Sequence, residues 1–289
     1  MRVLPRTTEA RRTRRKTVSV LSVAPWFVTA ILLACSAAYA ADPPPLARAR
    51  MLYNALDYDG AIAAAAIARM QPTTADAAAL VEARARLERS HHRCITCPDA
   101  AELDAARQAL NAINAAALSP RDQVDFLVGL AQFFYLTDLF GSAAEMFETA
   151  LDRGASLPTR DRTMLLAWWA QALEREAQSA TPARRIFLGA EMAARMKEEL
   201  RRDPGNAAAN YWLVVGERGT GNLEGAWDAA VGAWVRAKLG PSMEQLRSEL
   251  DGLVDLLIRD MARARGAREQ ADAAESLRSQ WNLVKEQWK

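Results

Sequence analysis

One short stretch, Ser90-His91-His92-Arg93-Cys94-Ile95-Thr96-Cys97-Pro98, gathers both histidines and two of the three cysteines of this 289-residue chain. Imidazole and thiolate are the donors that zinc and other transition metals select. His91 or His92 with Cys94 and Cys97 is therefore one way to hold a metal. The ligands are crowded, however, and closed zinc sites draw on two separated pairs. Covalent haem attachment needs a histidine directly after the second cysteine, and Pro98 stands there. A thioredoxin-like dithiol needs its C-x-x-C at a helix N-terminus beside a βαβ unit. Pro98-Asp99 could open such a helix, but no strand pattern surrounds it. The plainer reading is a local Cys94–Cys97 disulfide in an oxidising compartment. It would stiffen an inserted loop more than the fold, because the ring it closes is short.

Other stretches offer less chemistry. Gly216-Glu217-Arg218-Gly219-Thr220-Gly221-Asn222 resembles a phosphate-cradling loop, but the preceding strand and the Lys-Ser/Thr of a P-loop are missing. Its glycines suit a helix end and chain reversal. Of the adjacent Trp168 and Trp169, helical geometry sends one to the core and the other to a partly exposed side. The run from Arg184-Arg185 to Arg201-Arg202 alternates in charge, as a solvated helix face does. Two adjacent histidines leave no separate Ser/His/Asp or Cys/His arrangement. No enzyme activity, cofactor or metal is expected from these residues. A carbohydrate-active enzyme would need a carboxylate pair, and no particular pair stands out.

The elements that position these residues begin after an N-terminal segment of different character. Residues 1–40 hold seven basic residues against Glu9, a charge of +6 within a chain total of +2, so the remainder carries −4. A mildly acidic body lacks the concentrated Lys/Arg surface that nucleic acid requires. The segment runs basic, then apolar, then small, ending Ser36-Ala37-Ala38-Tyr39-Ala40, the layout of a secretory signal with cleavage after Ala40. Leu32-Leu33-Ala34-Cys35 also reads as a lipobox that would lipidate Cys35. Residues 18–41 are long enough for an uncleaved anchor, although Pro25 weakens it. The paired arginines suggest a twin-arginine signal without its usual apolar pair. Each alternative puts the body outside the cytoplasm, periplasmic or envelope-anchored, touching membrane only through this segment.

Beyond residue 41 alanine dominates and β-branched residues are sparse, which favours helix over sheet. Hydrophobic residues make up 51% of the chain and charged residues 25%, so a sizeable core is expected. Helical spacing of apolar positions predicts pairs at 44–56/59–70, 74–90/99–117, 120–137/140–153, 160–178/182–202, 206–219/222–238 and 241–264/266–288. Asp203-Pro204 should end one helix and Asn206 cap the next. The array is expected over 41–240. Residues 241–289 should cap it, with Trp281 and Trp288 packing the last helices down.

Leu130, Ala131, Phe134, Phe140, Ala143, Phe147 and Ala150 recur in offset at Leu213, Val214, Leu223, Ala226, Ala230 and Ala233, and more weakly from Ala49 to Ala68. With these residues the chain resembles tetratricopeptide repeats over 121–153 and 203–237. Asn210 and Glu217 depart from the large apolar residues usual at their positions. The resemblance implies an all-α fold, a right-handed superhelical stack of about six antiparallel helix hairpins. It further implies that the first helix of each pair lines a concave groove for a peptide or protein. The groove residues would be Tyr53, Asp125, Val128, Gln132, Tyr135, Tyr211, Val215 and Arg218, a mixture of aromatic area and hydrogen-bonding heads. The function this implies is a non-enzymatic interaction scaffold. The rival is a metal- or redox-responsive protein acting through His91, His92, Cys94 and Cys97.

Overall fold

In the computed structural model, residues 44–93, 98–155 and 157–289 are described. The signal or anchor segment with Cys35, and the cysteines Cys94 and Cys97, lie outside them. The described residues form twelve α-helices, and no strand occurs among them. They are α1 (Pro45–Asn54), α2 (Tyr58–Ala68), α3 (Ala75–Arg93), α4 (Ala100–Asn111), α5 (Pro120–Leu136), α6 (Phe140–Arg153), α7 (Thr159–Ser179), α8 (Pro182–Arg202), α9 (Ala207–Gly219), α10 (Leu223–Arg236), α11 (Met243–Ala264) and α12 (Gln270–Gln287). No helix among the described residues is long and apolar enough to cross a membrane.

Short polar residues start many of these helices, because their side chains satisfy backbone N–H groups that have no intrahelical acceptor. Asp57, Asp99, Ser119, Thr181, Asn206 and Asn222 each accept from the first turn of the helix that follows. Asn206 takes the N–H of Ala209 at 3.0 Å, and α8 stops at Arg202 just before Asp203-Pro204. Three boundaries differ most from expectation: α12 starts at Gln270 and not at 266, and two others have a visible cause. Helix α4 ends at Asn111 because the Asp76 carboxylate accepts the Asn114 N–H at 3.1 Å and draws the chain away. Helix α3 continues to Arg93, so His91 and His92 are helical and not part of the turn.

Three hairpin turns are built alike. At α1–α2 the N–H of Leu56 bonds to the Tyr53 carbonyl and that of Asp57 to Leu52. Asp138 and Leu139 do the same to Tyr135 and Phe134, and Gly221 and Asn222 to Arg218 and Glu217. This paired closure is the Schellman motif, which needs a left-handed residue after the helix. Leu56, Asp138 and Gly221 supply it, with φ of 64°, 61° and 82°.

Consecutive helices pack against each other along the whole described chain, and further contacts join α1 to α3, α3 to α5, α7 to α9 and α9 to α11. Alanines sit where two helices cross: Ala61, Ala65, Ala143, Ala150, Ala226, Ala230 and Ala233 are all fully buried, with Phe147 and Trp169 filling the wider gaps. At the α8–α9 crossing the backbones themselves meet. A Cβ on Gly216 would lie 2.9 Å from the Ala193 nitrogen and 3.0 Å from the Gly189 carbonyl oxygen. One contiguous core runs from Leu80 to Trp281, and a smaller one joins Ala49, Ala64 and Ala65.

The final pair packs through one tryptophan. Trp281 is buried against Trp234 and Trp227 and donates its indole N–H to Asp251 at 2.7 Å. Trp288, expected to help, is 45% exposed beyond the end of α12.

Candidate functional site: one face of the odd-numbered helices

The last turn of α1 and the middle of α3 and α5 bring a polar and aromatic cluster together. Arg84 on α3 bonds to Asp125 on α5 at 2.7 Å, and its guanidinium lies 5.0 Å over the ring of Tyr53 from α1. One turn further along α3, Glu88 accepts from Gln132 Nε2 at 2.6 Å, and both residues are buried. The spacing of 84, 88, 91 and 92 puts all four on adjoining stripes of one helix. Burial holds the Tyr53 phenol well above its usual range, with Glu88 and Asp125 adding to the effect and Arg84 opposing it.

His91 continues the same line. Its ring packs 4.7 Å from that of Trp168 on α7 and edge-on to Tyr135 on α5, which in turn meets Trp168 and Phe140. The ring contacts accompany the extension of α3 past Ser90. Burial pulls the His91 imidazole below its ordinary value, Glu88 opposes that and His92 adds to it. The Nδ1 atom of His91 is buried without a hydrogen-bond partner among the described residues. His92 is mostly exposed, stacks on Tyr58 at 5.7 Å and faces Glu88 at 4.0 Å.

The structure thus gathers Tyr53, Asp125, Gln132 and Tyr135, all expected to be groove residues, around Arg84, Glu88 and His91. Val128, expected beside them, is a core residue. Gln132 and Tyr135 are buried within the cluster and not spread on an open surface. Burial also raises the Tyr135 phenol. The other three expected residues lie further along. Tyr211 packs edge-on to Trp212, while Val215 and Arg218 line an open cavity of about 620 Å³ with Glu174, Ile186 and Asp260. Arg218 is paired with Asp260 of α11 at 2.7 Å. Glu174 is held above the usual carboxylate range by burial, against the pull of Arg218 and Arg175.

Arg84, Glu88, Trp168 and Glu174 were not singled out as groove residues by the sequence. Arg84 and Glu88 look like one more i,i+4 pair on a solvated helix; only their neighbours on α1 and α5 turn them inward. The two departures from the repeat pattern are accounted for. Asn210 is fully buried, donates to the carbonyls of Pro204 and Asn206, and accepts from Arg236. Glu217 pairs with Lys197 and accepts from Asn222.

Among the described residues no three His, Cys, Asp or Glu side chains converge as metal ligands. The expected Cys94–Cys97 bridge lies outside them. Compared with family models, with curated proteins and with solved structures, the chain matches none.

Proposed function

We propose that this protein is a non-enzymatic interaction scaffold, exported to the periplasm or held on the envelope, that binds a peptide or protein along its odd-numbered helices. The twelve helices are read as a right-handed superhelical stack of six tetratricopeptide-like hairpins. The next-but-one contacts along α1, α3 and α5, and along α7, α9 and α11, support that reading, since the first helices of such pairs line the inner face. The observation that carries the functional reading is the cluster of Tyr53, Arg84, Glu88, Asp125 and Gln132 drawn from three helices onto one side. Aromatic area interleaved with buried, directional polar groups is how interaction surfaces fix an extended partner.

The test is to immobilise the full chain, recover its partner from envelope extract and repeat the capture with a Tyr53→Ala/Asp125→Ala variant. Loss of the partner from a variant that keeps its helical circular dichroism is the expected result. An unchanged partner would overturn the assignment of this face.

A further inference from the structure

The carboxylate of Glu88 is 7% exposed, yet among the described residues no lysine or arginine nitrogen lies within 4.0 Å of it. Its Oε1 takes one neutral hydrogen bond, from Gln132. Its Oε2 faces His92 Nε2 at 4.0 Å, a group charged only when protonated. Arg84, one turn away, is engaged by Asp125 and by the ring of Tyr53. Gln132 is 2% exposed, and the other end of its amide, Oε1, has no donor among the described residues. Two acceptors therefore share one amide–carboxylate pair, and donors are short. Three rings border the place: Tyr53 and Tyr58 meet edge to face at 5.9 Å, and Tyr58 stacks on His92.

A buried carboxylate whose nearest cation, Arg84, acts on it only at a distance and is already engaged by Asp125 is costly. Aromatic faces attract cations and not anions. We infer that Glu88 and Gln132, with the rings of Tyr53, Tyr58 and His92, receive a cationic side chain, a lysine or arginine of the partner. This rests on the reading of the odd-helix face as the partner surface and names the chemistry of what it takes. The approach is past His92, whose side chain is 59% exposed. Glu88 Oε2, the oxygen nearest to His92, is the acceptor on that side. The −4 charge of the chain beyond residue 40 favours a basic partner in the same sense.

The probe is a fluorescent peptide of glycine-spaced arginines, titrated against the full chain by anisotropy, beside the same peptide with citrulline for arginine. Glu88→Gln should weaken the arginine peptide by roughly tenfold or more. Citrulline should weaken binding to the unmodified protein by a similar factor, and add little in the Glu88→Gln background. The same variant should melt higher than the unmodified protein, because it removes a buried charge that has no ion pair of its own and keeps the bond from Gln132. Four results would each overturn the inference: no arginine-peptide binding at millimolar concentration, an affinity indifferent to Glu88→Gln, a lower melting temperature for that variant, or an equal loss in Glu224→Gln, an exposed carboxylate on α10. A captured partner that needs Tyr53 but ignores Glu88→Gln would sink this inference and leave the interaction reading standing. Failure to capture any partner would count against that reading, while the titration still decides this one.

Discussion

Gln132 on α5 donates a 2.6 Å hydrogen bond to Glu88 on α3, 44 residues earlier in the chain, and it is the sole hydrogen bond that the Glu88 carboxylate receives among the described residues. Removing the donor should leave the buried charge bare. Gln132→Leu is expected to cost about 2–4 kcal/mol in urea unfolding. The double variant Glu88→Leu/Gln132→Leu should cost less than the single change, since nothing polar is then stranded. Additive losses would mean the two residues act independently.

The α8–α9 crossing should be equally sensitive to a single carbon. Gly216→Val places atoms on the Ala193 nitrogen and the Gly189 carbonyl, both backbone and unable to move aside. A loss of about 3 kcal/mol or more is expected. Gly252→Ala on α11, where a Cβ would meet nothing within 4 Å, should instead gain about 0.5–1 kcal/mol from helix propensity. Thermal melts of the two variants check the contrast.

Leu56 occupies a left-handed backbone position at φ 64° and is 62% exposed. It pays a steric cost there that glycine does not. Leu56→Gly should therefore stabilise by roughly 1 kcal/mol despite the loss of a side chain. The same change at an exposed helical leucine, Leu283→Gly, should destabilise by a similar amount.

Acid should weaken the fold partly through His91. Its folded imidazole titrates below the ordinary value of 6.5, because burial against Trp168 and Tyr135 disfavours the charged form. As pH falls below 6.5, the unfolded chain takes up a proton that the folded chain refuses, so stability drops until the folded group also titrates. His91→Gln should flatten the fall in melting temperature over that window. A slope unchanged by the substitution would place the acid sensitivity elsewhere.

The helices were legible in the sequence because their signals are local. Apolar spacing marks α5, α6, α9 and α10, and Asn206 announces its cap by residue type and position. The end of α4 was not, since it depends on Asp76 reaching Asn114 from another helix. The candidate site was half legible. Tyr53, Asp125 and Gln132 were expected from the resemblance to tetratricopeptide repeats, but Arg84 and Glu88 carry the same pattern as any solvated helix pair. Only the packing of α3 between α1 and α5 distinguishes them. His91 was legible as a reactive side chain and misassigned to a turn; its helix continues past Ser90, and its ring meets others that lie 44 and 77 residues further on, at Tyr135 and Trp168.

The like turns at Leu56, Asp138 and Gly221 fall at α1–α2, α5–α6 and α9–α10, while the joints at α7–α8 and α11–α12 are made differently. Leu56 and Asp138 are 82 positions apart, and Asp138 and Gly221 are 83 apart. These turns therefore recur at every fourth helix. If the chain is the stack of hairpins proposed above, its modular piece is a block of four helices, and the natural scissor points are before α5 and before α9. Excising or grafting at those points keeps like beside like. Cutting out a single hairpin would bring two turns of the same kind into succession and leave every downstream side chain facing a neighbour it was not shaped for.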